Sequence, residues 1–257
     1  MWLCVICGKR NEWSAPSREG MICDGCGLTW RNRAVVLAVL RSQGYVGVSL
    51  ADFRGDYSIV GIGSSEVPAL DARLTEKFWF TNSHYHTAPR LDLCAPDAQW
   101  KGLANFMICS EVLEHVPPPA DVALAGLCEV LKDGGTAIIT VPYTRGWDMA
   151  REHEVRHDLL VDTNETNETS EYYPDLVSYR LDGNVLTWFD SQGREFVDES
   201  PEFHGGAAPA LTFRKWTIAD LERRLLLSGF STVKQMEFDP VFGVPSLPNG
   251  VVLLARK

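Results

Sequence analysis

Four cysteines near the start of the chain have the spacing of a metal-binding site. They form two pairs, each with two residues between the thiols and a glycine directly after the second thiol, namely Cys4, Cys7, Cys23 and Cys26. Two thiolates at this spacing chelate one ion from a tight turn, and four sulfurs suit tetrahedral Zn²⁺. The alternatives are two disulfides, which are rare in a chain without an export signal, and an iron site with the same ligands. A module this small has little core, so metal binding is expected to drive its folding.

A second group of chemically capable residues follows a short apolar run. Residues 104–109 are mostly apolar and too few for a typical helix, which predicts a strand buried on both faces. The run stops at Ser110 and Glu111, and His115 follows in the same polar stretch. Ligands of open α/β sheets bind beyond the carboxyl ends of the strands. The sequence therefore predicts a ligand site around Ser110 and Glu111.

The elements around this polar stretch form a strand–helix–strand unit. Prolines at 117–119 interrupt regular structure, and a helix is predicted from Ala120 to about Leu131, ended by the glycines at 134 and 135. A second apolar run at 136–141 stops at Pro142 and predicts the next strand. The pattern indicates an α/β protein with a parallel sheet.

This unit resembles the second half of a class I S-adenosylmethionine-dependent methyltransferase of the type 11 group. The resemblance lies in Ser110–Val116, in Leu131–Gly135 and in the strand that ends at Val141-Pro142; the alternative is a generic strand–helix–strand unit with a chance motif. It covers roughly residues 55–257. It implies a doubly wound, Rossmann-like sheet of seven strands, closed by an antiparallel pair near the C-terminus.

The resemblance also implies which residues bind S-adenosylmethionine. Gly63 matches the first glycine of the family's cofactor turn, whereas Gly61 stands where an acidic residue is usual. Asn82 replaces the acid that holds the ribose hydroxyls in the family, and Asp92-Leu93 matches the position beside the adenine. The complete set of predicted cofactor-binding residues is Gly61, Gly63, Ser64, Asn82, Asp92, Leu93, Ser110 and Glu111.

Methyl transfer is an in-line displacement, to which positioning contributes most and a general base contributes when the acceptor is a hydroxyl or an amine. The predicted bases are histidines, with Glu111 and Glu114 as alternatives. The histidines are His115, His84, His86 and His204, with His153 as a further candidate. For His84 and His86 the alternative interpretation is a surface or half-buried loop position. An aromatic, turn-rich insertion suits a closed pocket, which favours a small-molecule or sugar-type acceptor.

Composition and charge divide the chain into two predicted domains. Residues 1–43 carry six basic and three acidic residues, a charge of +3, and the total of −10 leaves −13 for the remainder. We predict a zinc ribbon with a connecting helix in 1–43 and a methyltransferase domain in 44–257, with a β-rich insertion at about 143–213. The acidic remainder disfavours a general nucleic-acid binder. Arg31 and Arg33 are accordingly expected to flank the connecting helix, which docks on the main domain, rather than to contact phosphate.

Three alternatives stay open. The first is an RNA methyltransferase that contacts RNA through the ribbon, and the second is a non-catalytic scaffold with a degenerate cofactor turn. The third rests on His153-Glu154-Val155-Arg156-His157, which fits the H-E-x-x-H pattern of zinc proteases but has no third-ligand signature. No apolar run approaches the ~18 residues of a membrane span and no secretory signal is visible, so a cytoplasmic protein is expected.

Overall fold

The structure is a computed structural model that describes residues 1–14, 17–142, 170–173, 175–204, 210–247 and 250–257. In chain order its strands and helices are β1 (Trp2–Leu3), β2 (Arg10–Asn11), α1 (Trp30–Ser42), β3 (Asp56–Ser64), α2 (Pro68–Thr75), β4 (Phe78–Ser83), β5 (Ala104–Ser110), α3 (Ala120–Val130), β6 (Leu131–Thr140), β7 (Ser170–Glu171), β8 (Leu176–Asp182), β9 (Val185–Asp190), β10 (Glu195–Asp198), β11 (Phe203–His204), β12 (Ala210–Leu211), β13 (Arg214–Lys215), α4 (Ile218–Leu227), β14 (Thr232–Gln235) and β15 (Leu253–Arg256). A short 3₁₀ turn at Leu113–His115 follows β5, and a second one spans Pro240–Phe242.

A mixed sheet of six strands lies at the centre, in the order β14-β15-β6-β5-β3-β4. The strands β3, β4, β5 and β6 are parallel to one another, and β15 runs antiparallel to both β6 and β14. This arrangement confirms the predicted α/β class and the antiparallel pair that closes the sheet.

The sheet has six strands in the described residues rather than the predicted seven. Residues 84–103, between β4 and β5, contain only an isolated bridge between His84 and Arg90. Pro89 and Pro96 lie in this stretch. Because proline has no backbone N–H to donate to a ladder, such a segment is poorly suited to an extended strand.

Helices cover both faces of the sheet. Alternate residues of a strand point to opposite faces. Phe106 and Ile108 of β5 pack in a core with α1, α2 and the N-terminal module, whereas Met107 and Cys109 pack in a second core with α3 and α4. The prediction that β5 is buried on both faces is therefore confirmed.

The connecting helix begins earlier than predicted. The sequence predicts a start at Ala34, but the helix begins at Trp30 because Thr29 caps it. The Thr29 hydroxyl accepts from the amide of Asn32, and the Asn32 side chain accepts from the amide of Thr29. The apolar residues of α1 are buried in the same core as Trp2, Val5 and Ile6 of the module. The module and the sheet thus share one hydrophobic core.

A β-rich unit follows β6. The strands β8, β9 and β10 form an antiparallel sheet, and β11 pairs with β12 and β7 with β13. Its own core contains Tyr173, Leu186, Trp188 and Phe213. The H-E-x-x-H pattern at 153–157 lies outside the described residues. No helix in the described part of the chain has the length and apolar character needed to cross a membrane.

Candidate ligand site at the strand ends and candidate metal centre

The four N-terminal cysteines converge on one point. Their sulfur atoms all lie within 4.8 Å of one another, with 3.8 Å between Cys4 and Cys26 and 3.6 Å between Cys7 and Cys23. Tetrahedral Zn²⁺ with bonds of about 2.3 Å separates its sulfurs by about 3.8 Å. A disulfide has sulfurs about 2.0 Å apart, so the disulfide alternative is wrong for these free thiols.

Two equivalent turns carry the cysteine pairs. The amide of Gly8 donates to the carbonyl of Cys4 at 2.9 Å, and the amide of Gly27 donates to the carbonyl of Cys23 at 2.8 Å. Both glycines adopt positive φ, 73° and 72°, which a side chain would disfavour. The glycine that follows each cysteine pair in the sequence therefore has a direct conformational reason.

A buried arginine adjoins the cysteine cluster. Arg33 is fully buried, donates to the carbonyls of Gly243 and Leu28 at 3.0 Å, and lies over the Trp2 ring at 4.1 Å. Burial lowers its pKa, and the nearby cysteine thiols act in the opposite direction. A buried cation needs a compensating negative charge. Zn²⁺ held by four thiolates carries a net charge of −2, so the donor set fits this neighbour.

A second constellation lies where β5 ends. Glu111 adopts φ 57° directly after the strand, and its carboxylate accepts hydrogen bonds from both terminal nitrogens of Arg18, one of them at 2.7 Å. The side chains are only 10% and 12% exposed. Burial tends to raise the pKa of Glu111, but the hydrogen bond and charge of Arg18 outweigh it and the pKa is lowered. Glu111 is therefore an ionised, firmly held group.

The neighbouring Ser110 joins the same network. Its hydroxyl receives a hydrogen bond from Arg31 at 3.0 Å and lies 2.8 Å from the Thr140 hydroxyl at the end of β6. Thr140 in turn donates to Glu111 at 2.9 Å. Arg31 also makes a two-pronged ion pair with Glu19. The sheet and the N-terminal module thus contribute to one polar network.

The turn after β3 forms the other side of this region. Ser65 adopts φ 62°. The Asn82 side chain, at the end of β4, makes two hydrogen bonds with the backbone of Glu66: it accepts from the amide at 2.9 Å and donates to the carbonyl at 2.8 Å. The Ser64 hydroxyl and one carboxyl oxygen of Glu66 are buried and have no hydrogen-bond partner in the described residues. Burial raises the pKa of Glu66 to about 8.

The two glycines of the predicted cofactor turn are needed for packing. A Cβ on Gly61 would overlap the ring of Phe106. A Cβ on Gly63 would meet the Phe80 ring at 2.7 Å and the side chains of Asn82 and Glu66 at 3.0 Å. Side chains of the protein itself therefore occupy the space that these glycines leave.

The remaining predicted cofactor residues lie in the loop after β4. Asp92 accepts from the amide of Cys94 at 2.9 Å and from Arg90 at 3.2 Å, which stabilises its own turn. Leu93 is buried in the core beneath α3 and α4. Neither residue bonds to Glu66 or Glu111 within the described ranges, so they do not belong to the polar network described above.

The predicted histidines differ in their surroundings. His115 follows the β5 end in the 3₁₀ turn, and its Nδ1 lies 2.9 Å from the carbonyl of Leu211. His84 begins the loop after β4 and is half-buried, whereas His86 is exposed and packs edge-on against Tyr85. His204 lies in β11, away from that loop in the chain. Among the predicted histidines that lie in the described residues, His115 is the one that follows the polar end of β5.

Four charged residues of this region are not among the predicted site residues, namely Arg18, Glu19, Arg31 and Glu66. Arg18 and Glu19 lie between the two cysteine pairs, and Glu66 is predicted from the sequence to begin a helix. Residue spacing gives no signal for Arg18, because its partner Glu111 is 93 residues away. For Glu66 a signal is available, since Pro68 fixes the start of α2 and leaves Glu66 in the turn.

Comparisons with known proteins give matches in fold. No protein-family model and no curated protein matches the chain. Similar solved structures are S-adenosylmethionine-dependent methyltransferases. They include 1,6-didemethyltoxoflavin-N1-methyltransferase of Burkholderia thailandensis (14% identity, 87% of this chain and 78% of the other covered, TM-score 0.42) and the amino pentose methyltransferase CalS10 from Micromonospora echinaspora (14%, 90% and 92%, 0.45). A third, from Clostridium acetobutylicum, has 10% identity, coverage of 89% and 91%, and a TM-score of 0.43. Because these values are low, function is inferred from the chain's own residues.

Proposed function

We propose that this chain is a methyltransferase that transfers a methyl group from S-adenosylmethionine to a small-molecule or sugar-type acceptor. The strand order supports a ligand site between the neighbouring strands β3 and β5. From β3 the chain continues to β4 on one side of this pair, and from β5 it continues to β6 on the other side. The loops after β3 and β5 diverge at such a switch point, which is where open α/β sheets bind their ligands. The observation that carries the proposal is a pair of buried acceptors there, the Ser64 hydroxyl and a Glu66 carboxyl oxygen, without partners in the described chain.

Unpartnered buried polar groups favour a polar ligand. Leaving such a group without a hydrogen bond costs about 1–3 kcal/mol, which a ligand with suitable donors recovers. The residues that would hold the cofactor are Ser64 and Glu66 on the β3 side, and Ser110 and Glu111 on the β5 side. S-Adenosylmethionine supplies an electrophilic methyl group on a sulfonium. In this proposal, the other predicted residues support the site through packing and turn structure; they are Gly61, Asn82, Asp92 and Leu93.

His115 is the proposed general base. A carbonyl only accepts hydrogen bonds, so the Nδ1 that faces Leu211 carries the proton, and in the neutral ring Nε2 keeps its lone pair. This nitrogen can take a proton from an acceptor hydroxyl or amine. Glu114 Oε1 lies 3.7 Å from Nε2 and stabilises the imidazolium that forms. His84, His86 and His204 are the alternative bases, and the corresponding glutamine variants distinguish them from His115.

The β-rich unit supports a small acceptor. It docks on the turn after β5, where the amide of Phe213 donates to the carbonyl of Glu114 at 2.8 Å and Arg214 donates to the carbonyl of Leu113 at 3.0 Å. An aromatic core thus lies beside the proposed base. RNA contact has less support, since Arg33 is buried and Arg31 is paired with Glu19.

We also propose one structural Zn²⁺ at the four cysteines, with residues 1–43 forming the ribbon domain and a β-rich insertion in the methyltransferase domain. The sulfur separations and the buried charge of Arg33 support it. Thiolate ligands are compatible with the reducing cytoplasm, which is the proposed location.

Calorimetric titration with S-adenosylhomocysteine tests the function. We expect a dissociation constant in the micromolar range, about −8 kcal/mol. His115→Gln should retain this binding and lose methyl transfer to the acceptor found in a screen of sugars and small metabolites. A folded protein that gives no heat would contradict the proposal. It would favour the alternative of a non-catalytic scaffold. In support of that alternative, the Asn82 side chain bonds to the protein's own backbone, and the Phe106 ring fills the space beside Gly61.

A further inference from the structure

We propose that Glu66 anchors the cofactor by accepting a hydrogen bond from one of its donor groups, with Ser64 as a second contact. This inference deepens the proposed function and rests on it. It concerns a residue for which neither the cysteine spacing nor the motif after β5 predicts a binding role.

The backbone of Glu66 is fixed by two hydrogen bonds. The Asn82 amide group bonds both the N–H and the C=O of this residue, at 2.9 and 2.8 Å. Such a pair holds the turn in one position relative to the end of β4. The backbone that carries the Glu66 side chain is therefore held in place, as a preorganised ligand-binding group requires.

The side chain lies against the end of β3. Its Cγ is 3.0 Å from the place where a Cβ of Gly63 would stand, and the residue is only 7% exposed. The glycine is needed partly because this carboxyl arm occupies the space beside it. The Glu66 side chain thus packs against the end of β3, beside the switch point between β3 and β5.

Charged groups surround the carboxyl without bonding to it. Those that act on it are Arg31 from α1, Asp71 from α2 and Glu111 beyond β5, and its own charge acts on Cys109 of β5. Arg31 directs its hydrogen bonds to Glu19 and Ser110. Across the described ranges no side chain supplies a donor to the buried Glu66 oxygen.

The protonation state of this carboxyl follows from its surroundings. Burial raises the pKa of Glu66 to about 8, against the charge of Arg31, which lowers it. At pH 7 the group is therefore mainly protonated without ligand. A hydrogen-bond donor of the ligand favours the ionised form. Binding is then accompanied by release of a proton from Glu66.

Three donor groups of the cofactor share this chemistry: the ribose hydroxyls, the adenine amino group and the amino-acid ammonium. Calorimetry with two ligands separates the ammonium from the other two. S-Adenosylhomocysteine carries all three groups, whereas 5′-methylthioadenosine lacks the ammonium. If Glu66→Gln weakens both ligands equally, the donor lies on the adenosine part; if it weakens only S-adenosylhomocysteine, the ammonium is the donor.

The decisive experiment measures proton release. Wild-type protein is titrated with S-adenosylhomocysteine at pH 7 in two buffers of different ionisation enthalpy, and the apparent enthalpies give the number of protons released. We expect a value approaching one for wild type and near zero for Glu66→Gln, with affinity reduced about 10- to 100-fold. Ser64→Ala should weaken binding and keep the proton release. Glu76→Gln, at an exposed position after α2, is the matched control for loss of an acid, because Glu76 is not among the charges that act on Glu66.

Wild-type affinity and unchanged proton release in a folded Glu66→Gln variant would overturn this inference and leave the proposed function standing. Absence of any binding by folded wild-type protein would overturn both. Circular dichroism of each variant establishes that it is folded, and glutamine has nearly the size of the acid it replaces.

Discussion

The cysteine cluster and the strand-end site are built in opposite ways. All four thiols come from two local turns within residues 4–26. The strand-end site instead joins residues that are far apart in the chain, as in the pair of Arg18 with Glu111. A local ligand set depends on its metal, whereas a site assembled at a distance depends on the whole sheet. The two are nevertheless connected, because Arg18 lies in the segment between the two cysteine pairs.

The largest effect is expected from breaking the cysteine cluster. Cys23→Ser removes one of four ligands, and structural zinc sites contribute about 10–16 kcal/mol in zinc-finger peptides. We expect loss of bound zinc, a lower melting temperature and loss of S-adenosylhomocysteine binding, because Arg18 is no longer held. Metal analysis, thermal unfolding and calorimetry measure these quantities. Cys94→Ser is the control, since that thiol is exposed and lies outside the cluster. Unchanged binding by zinc-free protein would show that the two regions are independent.

The next largest effect is expected from breaking the ion pair between Arg18 and Glu111, which connects the two regions. Arg18→Ala leaves the Glu111 carboxylate almost buried without its main cation, and breaking a buried pair costs about 3–5 kcal/mol. Urea unfolding measures this loss. The double variant Arg18→Met/Glu111→Gln should recover most of it. Arg73→Ala is the control, because the Arg73–Glu76 pair is largely exposed and such pairs contribute about 0–1 kcal/mol. A loss no larger than that of the control would rule out a stabilising connection.

This loss should depend on pH. The pKa of Glu111 is lower in the folded protein than its usual value, so the ion pair contributes stability above the unfolded pKa and loses it as the pH falls through the folded pKa. The difference in unfolding free energy between wild type and Arg18→Ala should therefore shrink from pH 6 towards about pH 3.5. A constant difference over that range would be inconsistent with an ionised Glu111.

Glu66 should show the opposite dependence on pH. Its carboxyl keeps its proton up to about pH 8 in the folded protein but loses it near the ordinary glutamate pKa when unfolded. Stability therefore falls as the pH rises between these two values. Glu66→Gln removes this penalty, so it should be more stable than wild type at pH 9, by on the order of a few kcal/mol, and similar at pH 5. Glu76→Gln, the control that does not act on Glu66, should follow wild type at both pH values in urea unfolding.

A smaller effect separates packing from ligand binding in the β3 turn. Gly61→Ala places a methyl group against the Phe106 ring, and overpacking of a core costs about 1–3 kcal/mol. Phe106→Leu in the same chain should relieve part of the cost. We expect the folded variant to bind S-adenosylhomocysteine with wild-type affinity. If binding is lost while the stability is unchanged, Gly61 contacts the ligand, as the family resemblance implies.

The local elements could be predicted from the sequence, whereas the long-range partners could not. The cysteine turns and β5 were predictable because spacing, apolar runs and prolines act within a few residues. The pairing of Arg18 with Glu111 was not, since it depends on how the module packs on the sheet. Ser110 and Glu111 lie at the predicted strand end, but no local pattern indicates that arginines of the N-terminal module bond to both.

The burial of α1 has a consequence for biosynthesis. Trp30 donates to the carbonyl of Pro245, 215 residues later, and Arg33 donates to that of Gly243. Contacts of such sequence separation form late, because a long loop must close first. During translation these two contacts of α1 can therefore form only after 210 to 215 further residues have been made. In nascent chains the Trp30 end of α1 is therefore expected to stay incompletely covered, as a binding surface for chaperones, until residues 243–245 emerge.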